Sequence, residues 1–213
     1  MLLAAAVIGS GIMAQRLTGD GAVALLANTL ATVAALAVLI GVLVPVSGAH
    51  FNPAVSIVSL LRGRLTLPVA AFYVVAQLVG CCLGALMAHA MFELPMIQTA
   101  THARAGIGQL LSEMLATAGL ITVALSSTTP KAAAWRVPAW IGAAYWFTAS
   151  TSFANPAITV ARAVSDTFAG IRPADVPAFI AAQMAGAFAG LWLSQWLFAS
   201  NTHECRDAAA APE

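Results

Sequence analysis

Apolar residues fill six long runs, at 1–16, 22–44, 68–91, 108–127, 134–151 and 176–198, and polar residues gather in the short stretches between them. A helix crosses the hydrocarbon layer with about 20 mainly apolar residues. Each run therefore predicts a transmembrane helix, the first beginning short. Two segments fit no spanning pattern. Residues 52–62 and 155–165 are amphipathic, too short to span, and each opens on Asn-Pro-Ala. Asn is a favoured helix N-cap and Pro a favoured first helical residue, so each segment predicts a half-helix. The order span, span, half, span occurs twice, with the two Asn residues 103 positions apart. Three spans per copy insert the second copy upside down relative to the first. Inverted repeats of this kind place a site near the bilayer midplane, built from broken helices.

Composition sharpens this reading. The chain of 213 residues is 61% hydrophobic and 8% charged, whereas a soluble domain carries about 25% charged residues. Too few charges remain to cover a water-facing surface, and the chain reads as an integral membrane protein. The net charge of +1 implies no nucleic-acid partner. Residues 1–16 resemble a signal peptide in length, but they lack a basic start and a clean cleavage site, and more spans follow at once. If both termini are cytoplasmic, Arg62, Arg64, Lys131, Arg136 and Arg206 fall inside, and Arg16, Arg104, Arg162 and Arg172 outside. That bias is too small to set orientation.

The three cysteines, Cys81, Cys82 and Cys205, have neither disulfide nor zinc spacing and read as small packing residues plus a tail thiol. His203, Glu204 and Cys205 form one isolated tail cluster that could catch a metal; no metal or other cofactor is assigned. No Ser/His/Asp set, carboxylate pair or His/Cys metal spacing falls at one depth, which argues against an enzyme. An ion-coupled transporter shares inverted repeats but wants a coupling-ion site, and the mid-span carboxylate available is Glu113 alone.

The two Asn-Pro-Ala turns have a chemistry of their own. Non-helical backbone survives in the membrane only when shielded by protein or lining a water-filled cavity. Half-helices from opposite faces meet N-terminus to N-terminus, and each end carries roughly half a positive charge with free N–H donors. The pair repels cations. Pro53 and Pro156 start their helices without needing an N–H partner. Asn52 and Asn155 offer amide donors to the oxygen of a neutral solute. A single such turn would be no more than a capped helix start; two in a duplicated membrane chain point to a shared site.

SGAHFNPAV at 47–55 and FANPA at 153–157 resemble the two signatures of the aquaporin and aquaglyceroporin channels, the major intrinsic proteins. Glu113-Met-Leu-Ala-Thr117 is similar to that family's E-x-x-x-T motif. The resemblance implies an all-α membrane fold of six transmembrane helices and two re-entrant half-helices. It implies one channel domain over 1–199 (repeats 1–91 and 108–199), a polar tail at 200–213, cytoplasmic termini and a homotetramer with one pore per subunit. It makes Asn52, Pro53, Ala54, Asn155, Pro156 and Ala157 the pore centre. It makes Glu113 a structural brace that accepts hydrogen bonds from the second loop. The matching Glu of the first repeat is absent: the chain starts a few residues too late to hold it, through a displaced start or a first repeat without its brace.

In water-selective members of that family four residues line an outer constriction, the last usually Arg. The matching positions here are Thr32, Ala143, Ser152 and Ile158. Two small residues and no arginine imply a wide pore. Arg162, one turn beyond Ile158, either lines the vestibule and partly restores the charge or pairs with Asp166 on the surface. The run NPAITVAR with SDTF following resembles the bacterial S-type aquaporins associated with arsenic resistance, which implies small neutral solutes: arsenous acid, glycerol-like polyols and some water. His50 lines the pore or holds its loop. Asn28, Thr29, Gln77 and Gln183 read as interhelical hydrogen-bonding residues. Gly80/Gly84 and Gly186/Gly190 read as close helix crossings, and Trp135, Trp140, Trp192 and Trp196 as interface anchors or contacts between subunits.

Overall fold

The computed structural model describes residues 1–198. Among them it has six long helices: α1 (Leu2–Leu17), α2 (Gly21–Ser47), α4 (Leu67–Met91), α5 (Ile107–Ser126), α6 (Pro130–Phe147) and α8 (Val176–Phe198). Two short helices interrupt them, α3 (Pro53–Leu61) and α7 (Pro156–Arg162). By length and composition alone α2, α4, α5 and α8 can cross a membrane. The first helix has 16 residues, and α6 has 18 with Lys131, Arg136 and Pro138 inside it. The polar tail, with His203, Glu204 and Cys205, lies outside the described residues.

Local signals explain where the helix ends differ from the sequence pattern. Asp20 accepts hydrogen bonds from the N–H groups of Ala22 and Val23 at 2.8 and 3.1 Å and starts α2. The helix runs through Pro45 and stops at Gly48, whose φ of 74° is left-handed. In α6 the start is Pro130 rather than 134, because Thr129 caps Ala132 N–H at 3.1 Å with Pro in the first helical position. The second half-helix ends at Arg162 rather than 165. There the chain folds back, and the Arg162 carbonyl accepts from Ser165 and Ile171 N–H groups at 3.4 and 3.3 Å. Ser165 Oγ is taken up by His89 Nε2 at 2.9 Å.

The two halves pack alike. In the first, α1 packs against α2 and α4; in the second, α5 packs against α6 and α8. Glycines sit at the closest approaches, as the G-x-x-x-G pairs predict. A Cβ on Gly84 would overlap the Met1 carbonyl oxygen, and one on Gly186 would overlap that of Met114. Gly186→Val is expected to force α5 and α8 apart and lower stability by about 2 kcal/mol, the usual scale of overpacking. A thermal-unfolding scan of detergent-solubilised protein measures it; an unchanged midpoint would remove the crossing from the account.

Two other side-chain readings change. Trp140 is not a surface anchor: its indole lies over Gly119 and donates to the Ala116 carbonyl at 2.9 Å, riveting α6 to α5. Thr29 bonds back to Leu25 O of its own helix at 2.7 Å rather than across helices. Asn28 does cross, donating to Val7 O and Ser10 Oγ of α1, both at 2.8 Å. Trp135, Trp192 and Trp196 are exposed on the outside, with Leu30, Val38 and Phe72. An apolar outer surface of this kind suits lipid, and the buried polar residues lie within.

Candidate pore

The loops that precede α3 and α7 share a rare backbone. Gly48, Ala49 and Phe51 have φ of 74, 48 and 50°, and Thr151, Ser152 and Ala154 have 60, 48 and 47°. Each second-loop residue lies 103 positions after its first-loop counterpart. The left-handed region costs a non-glycine residue about 1 kcal/mol or more, and such strain persists only where the surroundings over-determine it. Gly48 alone marked this conformation in the sequence; the other five positions carry no local signal.

Those surroundings are hydrogen bonds. Asn52 Oδ1 caps its helix by accepting from Ala54 N–H at 2.9 Å. Asn155 Oδ1 accepts from Ala157 and Ile158 N–H at 3.0 and 3.3 Å. Each side-chain amide then reaches the other loop: Asn52 Nδ2 donates to Ala154 O at 2.7 Å, and Asn155 Nδ2 donates to Phe51 O at 2.9 Å. The loops are cross-tied by the two residues expected to greet a solute. An amide has two N–H donors, so each Asn keeps one for the cavity that both line. Pro53, Ala54, Pro156 and Ala157 are buried at the starts of the half-helices that meet here.

Glu113 holds the second loop. Its carboxylate, fully buried, accepts from Phe153 and Ala154 N–H, both at 2.9 Å, and from Gln183 Nε2 at 2.6 Å. Gln183 also donates to Thr159 Oγ1 at 2.8 Å. The first half has the matching side-chain pair, Gln77 Nε2 donating to Ser56 Oγ at 2.9 Å. In place of a carboxylate it has His50, with Nδ1 3.0 Å from the same Ser56 Oγ and its ring 5.2 Å from that of Tyr73. His50 both lines the cavity and holds its loop.

The cavity has a volume of about 390 Å³ and passes both Asn residues. It runs from Arg64 and the Ser127–Pro130 turn to Arg162 on the opposite side. Its walls are two stripes with helical spacing: Thr32, Leu36, Ile40 and Val44 on α2, and Ala133, Val137, Ile141 and Tyr145 on α6. His50, Asn52, Ser152 and Asn155 make a polar line between them. The lumen is therefore oily on its helix walls and hydrogen-bonding along its loops.

Thr32, Ser152 and Ile158 line this cavity; Ala143 does not. It is exposed on the outer face of α6. The fifth-span wall is Tyr145, two residues on, which at 3.6 residues per turn is a rotation of about 200°. The i, i+4 stripe ending at Tyr145 was the sequence signal that would have found it. Tyr145 reaches across to Thr32, hydroxyl to hydroxyl at 3.5 Å. The cavity is thus narrower and more polar at this level than an alanine would make it.

The surface pair of Arg162 with Asp166 does not form. Asp166 instead accepts from the N–H and hydroxyl of Thr101 at 2.8 and 2.9 Å, which hold its carboxyl below the usual range. Arg162 is buried, donates through Nε to Ala169 O, and lies over the Phe153 ring at 3.5 Å. A second arginine, Arg104, passed over in the sequence, is buried beside the same ring at 4.8 Å. Its guanidinium donates to Gly170 O, Ser150 O and Phe168 O at 2.9, 3.0 and 3.4 Å, fastening three loops together. Burial pushes its pKa down to about 10, so it stays charged at neutral pH.

A family model described as "Major intrinsic protein" matches residues 1–149. Aquaglyceroporin AqpS of Rhizobium meliloti (strain 1021) is 52% identical over 198 residues, covering 92% of this chain and 85% of that protein. Aquaporin TIP2-1 of Zea mays is 32% identical over 200 residues, covering 91% and 75%. The X-ray structure of the aquaglyceroporin from Plasmodium falciparum shares the fold, with a TM-score of 0.65 over 92% of this chain and 91% of that one at 21% identity. Six long helices, two half-helices capped by Asn-Pro-Ala and relatives that match across both repeats lead to one assignment: the chain belongs to the major intrinsic protein family.

Proposed function

We propose that the protein is a passive channel for small neutral solutes, wide enough for glycerol-like polyols and arsenous acid, with some water flow. The observation that carries this is the constriction itself. Ile158 stands where a water filter has its arginine, and Thr32, Ser152 and Tyr145 supply hydroxyls around it. A trihydroxy solute can place its oxygens on that polar side and its remaining surface on the Ile158 side. The fit supports polyols and arsenous acid equally, since both are uncharged and carry three hydroxyls. The protein is an integral membrane protein; a bacterial inner membrane is supported by the rhizobial relative, and cytoplasmic termini and a homotetramer follow the family pattern.

Tyr145 favours a second reading, a water-selective pore, because it closes toward Thr32 at 3.5 Å. Stopped-flow light scattering on proteoliposomes separates the two with water, glycerol and arsenous acid in parallel. The expected result is glycerol and arsenous acid flux at least about tenfold above empty vesicles, linear in gradient, as channel conduction requires. Water flux without either solute would establish the second reading. Saturating, ion-dependent flux would establish a transporter.

A further inference from the structure

We propose that Arg162 is the residue that excludes cations and protons from this pore, doing from one helical turn further along α7 what Ile158 cannot do at the filter position. The proposal rests on the reading of the cavity as a conducting pore and adds to it the residue responsible for charge selectivity.

Three observations carry it. First, the guanidinium is committed only in part. Arg162 is 1% exposed, its Nε is used by Ala169 O, and its Nη1 is buried without a hydrogen-bond partner. The residue lines the same cavity as Ile158, Ser152 and Tyr145. Arg104 is the contrast within the same wall: all three of its nitrogens are spent on backbone carbonyls, and it does not line the cavity. One arginine builds the loops; the other lies in the cavity wall with a buried nitrogen that no acceptor claims.

Second, Arg162 makes no ion pair among the described residues. The Arg172–Asp175 pair is the one ion pair there. Asp166 is occupied by Thr101. Glu113, the buried carboxylate of this half, is held by Phe153 N–H, Ala154 N–H and Gln183 and acts on the arginines only through space, one negative charge set against the two of Arg104 and Arg162. The face of Phe153 at 3.5 Å steadies the cation without neutralising it. A positive charge unbalanced at a narrow, low-dielectric passage acts on every ion that enters it.

Third, the rest of the constriction is electrically silent. Thr32, Ser152, Tyr145 and Ile158 are neutral, and hydroxyls alone would accommodate a cation as readily as a polyol. A neutral solute passes the guanidinium or takes a hydrogen bond from it, whereas a cation or hydronium meets an uncompensated like charge.

The test uses the full chain in proteoliposomes. Glycerol and water flux are read by light scattering. Proton leak is read by an entrapped pH dye under a valinomycin-clamped potassium gradient, normalised to water flux. Arg162→Met and Arg162→Gln keep an unbranched stem and remove charge; Arg162→Lys keeps charge. The expected result, read as the ratio of proton leak to water flux, is a rise of about tenfold or more above wild type in Met and Gln and the wild-type ratio in Lys, with glycerol flux still measurable in all three. Wild-type leak in a Met or Gln variant that still passes glycerol overturns the proposal. Equal leaks in Lys and Met overturn it too, by assigning the effect to packing. Loss of glycerol and water flux in both neutral variants places Arg162 in the frame of the fold and also overturns it. Failure of the pore reading is separate: it appears as absent glycerol flux in the wild type.

Discussion

Ile158→Arg is expected to cut glycerol and arsenous acid flux by about tenfold or more while leaving water flux within about threefold of wild type, because pore radius and lining donors set what passes. The packing around Ile158 dictates where the new side chain goes. On one side Ile158 joins the apolar cluster of Ile8, Ile12, Cys81, Ala85 and Ala88; on the other it faces the cavity. A guanidinium cannot enter the cluster, since burying an unpaired charge is prohibitive. It must extend into the lumen toward Tyr145 and Thr32. Two effects then act together: the long side chain fills space that a three-carbon solute needs, and a second positive charge stands one turn from Arg162. Like charges at this spacing cost a few tenths of a kcal/mol on an exposed helix. The preserved water flux reports that the channel still folds. Ile158→Met, similar in volume and uncharged, serves as the control and keeps glycerol flux. A folded Ile158→Arg channel that passes glycerol at the wild-type rate would take Ile158 out of the filter.

How much of this could be read without coordinates differs from residue to residue, for physical reasons. The half-helices were legible because Asn-Pro-Ala is chemically specific twice over, as an N-cap and as a helix start. The glycines at 84 and 186 were legible because only small residues let two backbones touch. Glu113 stood out because a carboxylate in an apolar run must find donors. Its role came from the resemblance, and its three donors came from the coordinates. Ala143 failed because counting along a helix tolerates no slip: two residues exchange the lumen for the outer surface. The four-residue stripes at 32–44 and 133–145 were present in the sequence, but apolar walls and lipid-facing sides look alike in a helix that is apolar all round. The left-handed loop residues were invisible because no intrinsic preference selects them. The cross-bonds from Asn52 and Asn155 do, and these join residues 102 and 104 positions apart. Arg162 was left between lining the vestibule and pairing with Asp166, and its position is set by the Phe153 ring and Ala169, which the sequence had not put forward.

Glu113→Gln is expected to lower stability by about 2–3 kcal/mol, the scale of leaving buried donors without their charged acceptor. Three donors converge on this carboxylate: Phe153 N–H, Ala154 N–H and Gln183 Nε2. A glutamine side chain of the same shape brings one carbonyl oxygen and one NH₂ group. Its oxygen can serve one loop amide, and its NH₂ then faces another donor at about 2.9 Å. The loop so released has Thr151, Ser152 and Ala154 left-handed, and it loses two of the hydrogen bonds that hold that backbone. The Asn52 bond to Ala154 O would be lost with it, loosening the first loop in turn. Solute and water flux should therefore fall together, unlike the selective loss in Ile158→Arg, along with a drop in the unfolding midpoint in detergent. A coupling carboxylate behaves differently. If Glu113 bound a driving ion, the Gln variant would keep its midpoint and lose only the dependence of flux on that ion. A Gln variant with the wild-type midpoint and wild-type flux would show that the second loop is held without its carboxylate.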